Sequence, residues 1–128
     1  MKANELMIGD WLYSIIDRYD HIEKKPVKIT GIRTEDDELL QGNDSDVWYH
    51  IETYEPIPLT AELLEKNGFV DRKSNYAFSN QKASVYYWIN DRILSLNSYG
   101  DVLHINCQYV HQLQHTLKLC NIQKEIQL

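Results

Sequence analysis

A chain of 128 residues suits one domain, or two small subdomains sharing a core. With 43% hydrophobic and 25% charged residues it has the composition of an ordinary globular protein, and no run approaches the roughly 18 apolar residues of a membrane helix. Its charge is lopsided: residues 1–59 hold 6 Lys/Arg against 13 Asp/Glu, whereas residues 60–128 hold 7 against 6, for the overall −6. An acidic first half and a second half without a basic cluster argue against binding to a phosphate backbone, which depends on cationic side chains displacing counterions. The opening Met1-Lys2-Ala3-Asn4-Glu5 has no apolar stretch of the signal-peptide kind, so the expected compartment is the cytoplasm.

In chain order, Gly9-Asp10 is a turn signal that feeds a strand-like run, Trp11 to Ile16. The polar stretch 17–25 reads as a loop. Pro26 to Arg33 reads as a second strand, with Val27, Ile29 and Gly31 on one face. An acidic turn over 34–38, a short strand at Leu39-Leu40-Gln41, a loop over 42–46, a strand over 47–51 and a fifth over 53–57 complete the first half. Several short strands separated by turns imply a small barrel or curled sheet. The run Gly9-Asp10-Trp11-Leu12 resembles the start of many SH3-like barrels, and the expectation for residues 1–58 is an SH3-like β subdomain.

Pro56-Ile57-Pro58 then enforces extended geometry, so a helix can start only after Pro58. Thr60 is a good N-cap and Gly68 a good left-handed stop. Leu59 and Leu64 would form a hydrophobic staple, and Leu64 and Phe69 the apolar pair of a Schellman stop. About six helical residues cannot be stable alone, so this helix must dock. The stretch reads as a rigid splice rather than a hinge, and the two halves are expected to pack as one compact unit.

Beyond it, strands are expected at 75–79, 83–89, 92–97 and 102–107. Asn90-Asp91 marks a two-residue hairpin turn, and 98–101 a further turn. Residues 108–120 change period, with Val110, Leu113, Leu117 and Cys120 on one stripe, widened by Tyr109 and Leu119. The tail 124–128 alternates as an edge strand would. The fold class expected is therefore α+β. Residues 59–128 form an αββββα subdomain with an antiparallel four-stranded sheet and a C-terminal amphipathic helix.

Candidate chemistry is sparse. His111 and His115, four apart on that helix, have the spacing of a helical zinc site, with His104 as the third ligand. Position 112 is Gln rather than Glu, so the metalloprotease pattern fails, and the competing reading seats both imidazoles on a solvated flank. The acidic stretches 35–38 and 43–46 lack the spacing of a calcium loop. Cys107 and Cys120 fall about 18 Å apart on a helix, too far for a disulfide, and read as reduced packing residues rather than partners of His104 or His111 in a catalytic dyad. Tyr86, Trp88 and Tyr99 compose a possible aromatic interaction surface, and the acidic balance favours a protein partner over nucleic acid. No phosphate-binding glycine loop, nucleophile elbow or Cys-x-x-Cys is present.

Four segments carry a resemblance: Glu5-Leu6-Met7-Ile8-Gly9-Asp10-Trp11, Pro56-Ile57-Pro58-Leu59-Thr60, Leu64-Glu65-Lys66-Asn67-Gly68-Phe69 and Tyr109-Val110-His111-Gln112-Leu113-Gln114. Together they resemble a group of small uncharacterised proteins common in gut Bacteroides and relatives, often in phage or other mobile elements. The resemblance implies no activity. The expectation is a non-catalytic, cytoplasmic interaction or structural module without a cofactor. The alternative is a zinc-binding protein or metal-dependent enzyme using His111 and His115.

Overall fold

Gly9 takes φ +97 and Asp10 is buried, its Oδ2 accepting the Met7 amide at 2.8 Å. This tie turns the chain sharply into β1 (Trp11–Asp17), which pairs antiparallel with β2 (Ile22–Arg33) from Trp11 opposite Lys28 to Asp17 opposite Ile22. The computed structural model describes residues 1–81, 83–98 and 100–128, and divides into two units, Met1–Ile57 and Pro58–Leu128. Mixed α+β and mostly strands, it holds two antiparallel sheets and two short helices.

In the first unit, β3 (Leu39–Gly42), β4 (Tyr49–His50) and β5 (Tyr54–Pro56) complete a curled sheet in the order β4-β3-β2-β1-β5, so the last strand returns to pair with the first. A 3-10 turn over Ile51–Thr53 separates β4 from β5. Leu12, Val27, Ile29, Leu40, Ile51 and Tyr54 are buried together at its centre.

The first unit departs from the sequence expectation in three places. The loop expected over 17–25 shrinks, because β2 begins at Ile22 and runs through Pro26. Pro26 is tolerated in mid-strand because β3 pairs with β2 only from Ile29 onward, leaving one edge of β2 open where proline lacks a donor. The strand expected over 47–51 contracts to Tyr49–His50, and Ile51 reaches the core from the 3-10 turn instead. The alternation of β2 also breaks: a bulge between Ile29 and Gly31 shifts the register, and Ile32, three residues after the buried Ile29, packs against the core.

The second unit opens with α1 (Ala61–Lys66), whose N-cap Thr60 accepts the Leu63 amide at 3.2 Å. It ends in a Schellman stop: Phe69 N donates to Leu64 O at 2.9 Å, Gly68 N to Glu65 O at 3.1 Å, and Gly68 has φ +86. Leu59, Leu64 and Phe69 are all buried, as the staple and stop require.

The sheet that follows has five strands rather than four, in the order β10-β9-β8-β7-β6: β6 (Val70–Asp71), β7 (Tyr76–Ser79), β8 (Ala83–Trp88), β9 (Ile93–Ser98) and β10 (Asp101–Asn106). The added strand is two residues directly behind the helix stop, too short to show a period. Ala83, Val85 and Tyr87 point to the buried face, with Leu94 and Leu96 beside them on β9. The β8–β9 connection is a four-residue loop, 89–92, and its left-handed residue is Arg92 (φ 54), not Asn90 or Asp91. Part of the turn expected over 98–101 falls on Tyr99, outside the described residues. On the edge strand β10, Leu103 is 50% exposed.

α2 (Val110–Leu119) starts two residues later than the periodicity suggests, and the Gln112 side chain folds back to accept the Gln108 and Tyr109 amides at 2.7 and 3.1 Å. It ends in a second Schellman stop, with Ile122 N to Leu117 O at 2.8 Å and Asn121 at φ 58. Leu119, expected to widen the apolar stripe, is 85% exposed. The tail is not an edge strand. It lies along α1 through Asn67 and Gln127, with Ile122 and Ile126 buried.

Candidate functional site

The α2 spacing does bring His111 and His115 together, with ring centroids 5.6 Å apart and the planes at 72°. The surroundings differ from both sequence readings. His111 is buried rather than on a solvated flank, and Tyr109 stacks on it at 5.9 Å with the planes 8° apart. His104 stands exposed on β10, opposite Ser95, and is not gathered with the pair. Among the described residues no three His, Cys, Asp or Glu side chains come close enough together to hold a metal ion.

The cysteines form no disulfide. Cys107 is fully buried, and burial pushes its thiol up to about 12, so it is not a thiolate nucleophile at neutral pH. Its carbonyl accepts the buried Tyr87 hydroxyl at 2.7 Å, which places Cys107 in the packing of β8. In the polar loop over 43–46, Asn43 Oδ1 accepts the Lys28 amide at 3.1 Å and Ser45 Oγ the Val47 amide at 3.0 Å, and Asp44 Oδ2 lies 3.9 Å from Lys25 Nζ.

The aromatic pair lies on the other face of β8 from Val85 and Tyr87. Tyr86 and Trp88, both half-buried, have ring centroids 6.3 Å apart and the planes at 42°. Strand pairing sets Ile93 across from Trp88, Ala77 across from Tyr86 and Val70 across from Ala77, so one face of the sheet carries a contiguous apolar patch, and Val70 is 63% exposed. Tyr99, the third member expected, lies outside the described residues.

Trp88 also borders a feature that the sequence reading missed. Two connections meet at one end of this sheet, the β6–β7 turn (72–75) and the β8–β9 loop (89–92), and between them is a cavity of about 200 Å³. Asp71, Lys73, Asn75, Tyr76, Trp88 and Asp91 are among its walls. Asp71 Oδ1 accepts the Lys73 amide at 2.8 Å and holds Lys73 at φ 71. Asn75 Oδ1 is buried without a hydrogen-bond partner. Burial, then the charges of Asp71 and Glu65, raise the Tyr76 phenol above its ordinary value, so it stays protonated. The signals were present, a polar turn and an Asn-Asp loop, but only the β7–β8 register brings together groups nearly twenty residues apart.

No helix among the described residues is long and apolar enough to cross a membrane. No family model, curated protein or solved structure matches the chain.

Proposed function

We propose that the chain is a non-catalytic binding module that engages a protein partner through the face of the second sheet carrying Tyr86 and Trp88. The observation behind this reading is the position of that aromatic pair. It sits on the opposite face of β8 from the buried Val85 and Tyr87, in a patch that continues through Ala77 and Val70. Interface centres are enriched in Tyr and Trp, and an apolar patch rimmed by polar residues is their usual setting. The acidic first half suits a protein partner better than a nucleic acid. The first unit supports an SH3-like reading: its fifth strand returns to the first after a 3-10 turn. The motif resemblance is the support for a mobile-element setting.

The test is a pair of affinity captures from source cells with the wild type and a Tyr86→Ser/Trp88→Ser variant of unchanged fold, followed by titration of the purified partner. A partner that binds the wild type and loses at least tenfold in affinity for the variant supports the reading. Equal binding by both removes it.

A zinc reading has one support, the 5.6 Å approach of His111 and His115. Stoichiometric zinc in protein purified without added metal, lost in His115→Ala, would establish it. A blank elemental analysis would dismiss it.

A further inference from the structure

The three tryptophans of this chain are treated differently. Lys28 Nζ lies 5.7 Å from the Trp11 ring, and the Arg33 guanidinium lies 4.2 Å from the Trp48 ring. Among the described residues, Trp88 has the tilted contact with Tyr86 and no cation over its ring. Yet Trp88 is the one that borders the cavity, where cation-attracting groups converge. Asp71 and Asp91 supply two carboxylates and Lys73 offsets one, leaving a single negative charge in excess. Asn75 Oδ1 is a buried acceptor with no protein donor, so an N–H of a ligand, or water in its absence, would complete it. The Trp88 indole and Tyr76 phenol supply aromatic surface.

We infer that this cavity is a socket for a guanidinium group. The lining wants one positive charge, at least one N–H donor for Asn75 and a flat surface for the indole. A guanidinium supplies all three, since it is planar, always charged and weakly hydrated, and stacks on aromatic rings while its in-plane N–H groups reach acceptors at the rim. An ammonium is a strongly hydrated point charge and gives up more on entering. The volume of about 200 Å³ lies below the roughly 300–1,000 Å³ of pockets for whole drug-sized ligands, so it admits one side-chain head and not a cofactor. This inference shares Trp88 with the aromatic face but does not depend on it, because Tyr86 is not part of the lining.

Titration by amide NMR, following the Trp88 indole resonance, tests it. The probes are agmatine, N-acetyl-arginine methylamide and N-acetyl-citrulline methylamide, the last a neutral isostere. The expected result is saturable shifts confined to residues 71–76 and 88–91 with both guanidinium probes, and at least about tenfold weaker binding of the citrulline compound. Tighter binding of the blocked arginine assigns the ligand to a protein chain; tighter binding of agmatine assigns it to a free small molecule. Asn75→Leu and Asp91→Asn should each weaken binding about tenfold. Asp91 is exposed, so its variant keeps the test valid should Asn75→Leu disturb the turn. Absence of saturable shifts, equal binding of the citrulline compound, or full affinity in both lining variants overturns the inference.

Discussion

Asn67 holds the tail of the chain by pairing its side-chain amide with the backbone of Gln127. Asn67 Oδ1 accepts the Gln127 amide at 2.6 Å, and Asn67 Nδ2 donates to Gln127 O at 2.7 Å and to Leu63 O at 2.7 Å. One buried side chain thus imitates a strand partner and also adds a second bond to the Leu63 carbonyl, which already accepts the Asn67 backbone amide at 3.1 Å. Asn67→Ala removes all three bonds and should cost about 3 kcal/mol in chemical denaturation. Asn67→Asp is more informative. Its carboxylate still accepts from Gln127 N but faces two carbonyl oxygens where it needs a donor. Faster amide exchange over residues 122–128 in both variants is the expected outcome, and unchanged exchange there would show that Ile122 and Ile126 hold the tail without Asn67.

Leu64 serves both ends of α1, since it is fully buried between the staple position of Leu59 and the stop position of Phe69. Leu64→Ala should destabilise the second unit by about 2–5 kcal/mol. Gly68→Ala isolates the backbone component. An added Cβ meets nothing nearer than Lys124 Nζ at 3.9 Å, so the cost arises from φ +86 alone and should be about 1–2 kcal/mol. Urea melts of the two variants decide it; a Gly68→Ala cost as large as that of Leu64→Ala would mean that the stop, not the core contact, fastens the helix.

Gly31 tests the first unit. A Cβ there would press into Trp48 Cη2 and lie 3.1 Å from Cζ2 and Cζ3 of the same ring. That ring also carries the Arg33 guanidinium. Gly31→Ala must therefore displace Trp48, and should cost about 1–3 kcal/mol and shift tryptophan emission. Wild-type emission with unchanged stability would show that the ring has room to yield.

Much of this fold was legible because its signals are local. Thr60, Gly68 and Asn121 act within one helical turn, so both ends of α1 and the end of α2 can be read from residues within a few positions. The alternation of Val85 and Tyr87 against Tyr86 and Trp88 needs only the period of a strand. What failed is what depends on distant partners. The strand Val70–Asp71 exists because β7 lies beside it, and the tail takes its path from Asn67, sixty residues earlier. His111 shares its helix flank with polar residues, yet Tyr109 covers it. The cavity beside Trp88 is formed by two turns whose meeting only the sheet register reveals.

The two thiols should separate cleanly by reactivity. Cys107 is fully buried with its thiol pushed up to about 12, whereas Cys120, at the C-cap of α2, is half-buried. At pH 8 a disulfide-exchange reagent should label one thiol per chain promptly and the second only in denaturant. Cys120→Ser should abolish the prompt phase. Prompt labelling of Cys107 in the native protein would mean that the β10–α2 connection opens readily.

His21 gives the first unit a pH signature. Its Nε2 lies 2.9 Å from Glu23 Oε1 and its Nδ1 2.6 Å from Asp20 Oδ1, and hydrogen bonding, first to Glu23 and then to Asp20, raises the imidazole above 6.5. Hydrogen bonding to His21 lowers the Glu23 carboxyl from 4.5. The signs follow from linkage. A raised histidine contributes stability that is fully present below its unfolded value and is lost as pH rises through the folded one. A lowered carboxylate contributes above its unfolded value and loses that contribution as pH falls through the folded one. The pair is therefore most favourable between about 4.5 and 6.5, the two unfolded values, and fades on either side. All three side chains are exposed to water, so salt should screen the effect. An NMR titration should place the His21 midpoint above 6.5 in the wild type, and Glu23→Gln should return it toward that value. A wild-type midpoint at or below 6.5 would show that water competes successfully for both carboxylates.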